Sequence, residues 1–144
     1  MSKGNTFEAD FLALIFNATP IANIADNAAA SPLTQLFVSL HTGDPGEAGN
    51  QTTSEIAYTG YARVAVNRNS GGWTVTANSV SPAAAITFGQ MTAGSPAGPV
   101  QYFGVGTATS GTGKLLYSGT VLPNITVANG VTPQLTTASA ITED

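Results

Sequence analysis

The spacing of apolar positions changes character near Pro32. Before it, Phe7, Phe11, Leu14 and Ile15 fall at i, i+4, i+7 and i+8, which gathers side chains on one face of an α-helix. Asn5 can cap that helix, and Glu8, three residues on, completes a capping-box pattern. Asn17 to Pro20 should end it, because the residue before a proline avoids the helical region. Ile21, Ile24, Ala25 and Ala28 repeat the spacing and predict a second, shorter helix closed by Ser31-Pro32.

Beyond Pro32 the period becomes two. Leu36, Val38 and Leu40 alternate with Phe37, Ser39 and His41; Ala62, Val64 and Val66 alternate with Arg63 and Ala65; Trp73 and Val75 alternate with Thr74 and Thr76. Ile86 to Phe88, Val100 to Val105, Lys114 to Val121 and Ile125 to Ala128 also read as short strands, rich in β-branched and aromatic residues. Turn-forming clusters separate them, at Gly43 to Gly46, Asn69 to Gly72, Gly94 to Pro99, Ser110 to Gly113 and Asn129-Gly130. The expected class is therefore mainly β, a single β-sandwich or barrel (jelly-roll-like) domain with an N-terminal helical segment. The expected division is a helical segment over 1–31, a β domain over 32–135, and a polar tail over 136–144 that forms a contact arm or a frayed end.

Composition narrows the function. A chain of 144 residues has room for one core. Only 8% of residues are charged, against roughly 25% in an average soluble domain. Thr, Ser, Asn and Gln must supply the polar surface, which suits a protein covered by neighbours. Four Lys and Arg against eight Asp and Glu give a net charge of −4. Nucleic acid, which is bound by displacing phosphate counterions with cations, is an unsuitable partner, as is an anionic membrane surface. There is no cysteine to form disulfides or thiolate metal sites. No apolar run reaches the length of a membrane span. Residues 1–10 lack the basic-then-apolar pattern of a secretion signal, so the chain is expected to be made and used in a cytoplasm.

Candidate chemistry is sparse. Gly113-Lys114 in a Gly-rich stretch suggests a phosphate-binding loop, but Ala108 and Leu115 occupy positions the motif reserves for Gly and Ser or Thr. A strand-like segment also follows, where a phosphate needs a helix N-terminus; a hairpin turn is expected. His41, Asp44 and Glu47 have residue types that bind divalent metals, yet Gly43, Pro45 and Gly46 among them describe a turn after a strand. His41 is the only histidine, and no Gly-x-Ser-x-Gly motif accompanies it. Glu47 and Glu55 are the plausible carboxylate pair for glycoside hydrolysis, but no feature places them across a cleft. No catalytic residue, cofactor, metal or small-molecule substrate is expected. Tyr58, Tyr61 and Arg63, together with Phe7 and Phe11, are the candidate interface or loop-anchoring residues. Tyr and Arg are enriched at binding hot spots, while the reading given more weight has Arg63 pair with Glu55 and hold the long connection onto the sheet.

Leu36 to Gly46 (LFVSLHTGDPG) resembles the strand-and-turn signature of a widespread phage family, whose members read roughly L-Y-V-A-L-H-T-A-D-P at this point. Glu55, then Tyr58-Thr59-Gly60-Tyr61-Ala62-Arg63, is similar to that family's acidic residue followed by Y-T-G-Y-A-R. Phe103 to Gly106, Ser110-Gly111 and Leu115 to Gly119 match its later strand, turn and L-L-Y-S-G segments. The resemblance runs from the N-terminal helix to about Leu135. It is to the head decoration (cement) proteins of tailed bacteriophages, a family whose members are often labelled tail fibre proteins. It implies a homotrimer on the outer capsid surface, bound to the major capsid protein and stabilising its lattice, and no catalytic residues. A tail-associated fibre or adhesin contacting the host is the alternative, with loops 43–58 and 89–99 carrying recognition. No coiled-coil heptads or fibre repeats point to a long shaft.

Overall fold

The computed structural model describes residues 5–21 and 32–143. Its elements in chain order are α1 (Asn5–Asn17), β1 (Gln35–His41), β2 (Val64–Asn67), β3 (Trp73–Thr76), β4 (Ser79–Pro82), β5 (Ile86–Thr87), β6 (Val100–Gly106), β7 (Leu115–Ile125), β8 (Gln134–Leu135) and β9 (Ile141–Thr142). The strands form three antiparallel sheets, ordered β2-β1-β6-β7, β3-β4-β9 and β5-β8. The class is the expected one: mainly β, built of antiparallel sheets as in a β-sandwich, with a helix on the N-terminal side. The chain divides into two compact units. One comprises Leu36–Ala65 and Ile86–Leu135; the other comprises Met1–Gln35, Val66–Ala85 and Thr136–Asp144.

In the first unit, β1 and β6 pair with Leu40 opposite Phe103 and Ser39 opposite Gly104. Leu36, Val38 and Leu40 are buried, as the alternation requires, but so are Ser39 and His41 on the other face. Glycines permit this second layer. A Cβ on Gly104 would lie 2.8 Å from both Ser39 Oγ and His41 Nε2, closer than such atoms can approach. The strand expected over 114–121 runs on to Ile125 as β7, and of the strand expected over 125–128 only Ile125 is in a ladder, residues 126–128 being irregular. The β7 register slips between the pairs Tyr102–Thr120 and Val100–Ile125, so residues 121–124 bulge from the ladder, with Leu122 84% exposed.

In the second unit, α1 buries Glu8, Leu12 and Phe16, positions i, i+4 and i+8. This corrects the expected stripe: Phe11, Leu14 and Ile15 are only half-buried, and the Phe7 side chain lies outside the described residues. The Phe16 ring meets Trp73 of β3 edge-on with centroids 4.7 Å apart, which turns the Leu12–Phe16 side of the helix inward. Ala18, at φ 54°, ends the helix. Asn69 makes the expected turn, its Oδ1 accepting from the amides of Gly71 (3.0 Å) and Gly72 (3.2 Å). Strand β4 follows β3 through Ala77-Asn78, with Thr76 opposite Ser79. The tail is a strand at residues 141–142, where Ile141 pairs with Val80 and the Glu143 amide donates to the Asn78 carbonyl at 2.8 Å. Of the second helix expected over Ile21, Ile24, Ala25 and Ala28, Ile21 instead takes a β-bridge conformation, and the other three lie outside the described residues.

Candidate functional site

Residues 42–63 connect β1 to β2, and five buried or half-buried polar side chains, Gln51, Glu55, Tyr58, Tyr61 and Arg63, hold this connection down. Glu55 and Arg63 form a bidentate ion pair, Nε to Oε1 and Nη2 to Oε2, both at 2.7 Å. Their side chains are 16% and 2% exposed. The rest of the guanidinium donates to the carbonyls of Ala108 (3.0 Å) and Gly111 (2.8 Å) in the β6–β7 hairpin. One arginine therefore fastens two loops, and its planar fork suits both partners. Its pKa is raised above the ordinary value, first by the hydrogen bonds to Glu55.

Tyr61 completes the cluster. Its hydroxyl donates to Glu55 Oε1 at 2.8 Å and accepts the Leu40 amide at 3.1 Å. Its ring stacks on Phe88 at 6.3 Å, and burial drives its pKa far up. Tyr58 reaches a different anchor, donating to the Gly89 carbonyl at 2.9 Å. Between the tyrosines, Gly60 (φ +104°) crosses Gly89 so closely that a Cβ on Gly89 would lie 1.9 Å from the Gly60 carbonyl oxygen. The segment Tyr58 to Arg63 thus anchors a loop through five of its six residues, Thr59 pairing with Ala93 through the backbone. Of the candidate residues, Tyr58, Tyr61 and Arg63 come together here, and Tyr58 and Tyr61 rings lie 5.4 Å apart. Phe11 lies on α1 in the other unit.

Gln51 is a fastener that sequence reasoning missed. It is fully buried; its Nε2 donates to the Phe37 carbonyl (3.3 Å) and its Oε1 accepts the Ala108 amide (2.9 Å). Gly106 and Gly113 leave the slot it fills. A Cβ on either would lie 2.2 Å from Gln51 Cδ or 2.1 Å from Gln51 Oε1, respectively. Two glycines flanking a hairpin were legible; nothing distinguished this glutamine from the other amides.

The candidate chemical sites do not assemble. His41 is fully buried, while Asp44 and Glu47 are exposed. His41 Nδ1 lies 2.8 Å from the Thr53 carbonyl, which can only accept, so that nitrogen carries the proton and Nε2 accepts from Ser39 Oγ at 2.9 Å. Burial lowers the pKa of His41, so the neutral ring fits this pattern. Ser39 is itself fully buried, which leaves the Ser–His pair no path to a substrate. Among the described residues, no three His, Cys, Asp or Glu side chains are grouped to hold a metal. Residues 107–114 form a hairpin between β6 and β7, with Gly111 at φ +71°, as the imperfect phosphate-loop motif implied. Glu55 is engaged by Arg63 and Tyr61, whereas Glu47 lines an open cleft of about 350 Å³ with Asp44, Gly46, Gly49 and Leu115 to Ser118. Among the described residues, no helix is long and apolar enough to cross a membrane.

A mainly β chain that uses its scarce charges to fasten loops, and that carries the paired His-Thr-Gly-Asp-Pro and Tyr-Thr-Gly-Tyr-Ala-Arg segments, has the character of a structural protein of the bacteriophage virion. Residues 16–142 match the model of the family described as Podophage GP4 fiber I protein gp80, and the chain belongs to that family. The expected phage structural class is thereby established, under a description that names a fibre and not a head decoration protein. No curated protein matches the chain.

Proposed function

We propose that the chain is a non-catalytic binding module of the virion, a fibre component that contacts the host surface. The family match over residues 16–142 carries this reading. The loop architecture supports it: the connection 42–63 is fastened at its base by Glu55, Arg63, Tyr61 and Gln51, while Asp44, Gly46, Glu47 and Ala48 remain exposed. A rigid scaffold presenting an exposed loop is the usual arrangement for recognition. The burial of the only histidine and its serine neighbour favours a module without hydrolytic chemistry.

A second reading is favoured by the Leu36–Gly46 and Glu55–Arg63 segments, which resemble those of head decoration proteins. In it the chain is a capsid cement subunit, a homotrimer on the outer head surface. It would bind the major capsid protein and stabilise the mature lattice by binding that state preferentially. Immunogold electron microscopy of intact virions separates the two. Label at the tail or at projecting fibres is the expected result. Dense, even label over the head would overturn the fibre reading in favour of the cement subunit.

A further inference from the structure

The open cleft has a geometry that the loop anchors do not explain. Four consecutive residues of β7, Leu115 to Ser118, line one wall. Side chains alternate in a regular strand, but here the register slips, with Gly106 facing Leu115 and Val105 facing Tyr117, so Leu116 is bulged and residues from both faces of the strand meet the cleft. Strand β7 is the last in the order β2-β1-β6-β7, which among the described residues makes it an edge strand. Its 11 residues, LLYSGTVLPNI, contain no charge. Edge strands usually carry charged side chains or are covered, because open backbone groups recruit other strands. The opposite wall is the turn 44–49, which contributes the carboxylates of Asp44 and Glu47.

We infer that this cleft is a docking groove for an extended, cation-bearing segment of a neighbouring virion protein, laid along β7 as an added strand. Strand addition takes affinity from main-chain hydrogen bonds and specificity from the side chains alongside. Here the flanking charges are both negative. Lys114 precedes the lining residues and is not among them. The inference rests on the reading of the chain as a non-catalytic binding module, and it holds for a tail or a head location alike.

The test uses the full chain and a fluorescent peptide of alternating lysine and valine, with a glutamate-for-lysine peptide as control, followed by anisotropy. Binding of the lysine peptide alone is expected, weakening as NaCl rises from about 50 to 500 mM. Amide exchange should show new protection across Leu115–Ser118. The variant Asp44→Asn/Glu47→Gln keeps the Oδ1 that accepts the Gly46 amide at 2.9 Å, so it should fold normally, and it should bind about fivefold more weakly. Equal binding of both peptides, unchanged binding by the variant, or protection elsewhere would overturn the groove. So would an oligomer in light scattering that the variant dissolves, since the occupant would then be a second copy. The underlying reading fails separately, if the unliganded chain hydrolyses cell-wall or capsule polymer.

Discussion

Two arginines five residues apart solve the same problem differently. Arg63, in the first unit, meets a carboxylate and two loop carbonyls. Arg68, in the second, meets carbonyls alone among the described residues: Leu14 and Ile15 in the last turn of α1, and Leu33 at 3.3 Å. The helix has no basic residue of its own in that turn, so Arg68 supplies from outside the cation that the negative end of a helix favours. The protonation of the two arginines reflects the difference. Glu55 raises the pKa of Arg63, whereas burial lowers that of Arg68. A paired charge locks a loop, while a charge held by carbonyl dipoles caps a helix.

Removing each arginine tests that contrast. The largest effect is expected for Arg63→Ala, which strands a largely buried carboxylate and frees two loops. Loss of one partner of a buried pair costs about 3–5 kcal/mol, to be read from the urea midpoint, with Arg63→Lys recovering only part because it lacks the fork. Within the same region, Gly106→Ala should cost about 1–3 kcal/mol by overpacking against Gln51, and Gln51→Ala in the same chain should give back much of that loss. Arg68→Ala is expected to cost about 1–2 kcal/mol, with reduced helical signal in far-UV circular dichroism and no change in exchange protection at residues 107–114.

The smallest effect is a pH slope. His41 is the only histidine, and its folded-state pKa lies below the ordinary 6.5. As pH falls through 6.5, the unfolded chain takes up a proton that the folded chain refuses. Stability is full above that value and declines toward the lowered one. Melting temperature should therefore fall between pH 7.5 and 5.5, and the slope should flatten in His41→Asn.

Legibility followed the physics that acts locally. Alternation at Leu36, Val38 and Leu40 located β1, and Gly-rich clusters located the hairpins. Strand β4 escaped because Val80 is its only large apolar side chain, and β8 and β9 because two-residue strands carry no period at all. These elements exist through their partners. The helix was located, yet its buried side was misjudged, since the four-residue row Glu8, Leu12 and Phe16 includes a carboxylate that pattern reasoning assigns to solvent. In the site, Glu55 and Arg63 could be paired in advance because charges are scarce here. Gln51 could not, because its role depends on space left by two glycines more than fifty residues away.

The glycines also divide by what obstructs them, and that sets how the sequence can drift. At Gly106 the obstacle is one side chain, Gln51, so a change there can be accommodated by a smaller residue at position 51, and the two positions are free to covary; Gly113 is held more tightly, since a Cβ there would also lie 2.5 Å from the Ala108 Cβ. At Gly60 and Gly89 the obstacle is main-chain oxygen, from Gln90 and from Gly60 itself. No substitution elsewhere removes a carbonyl. The crossing is closed to compensated change, and divergent relatives that keep this loop path must keep both glycines.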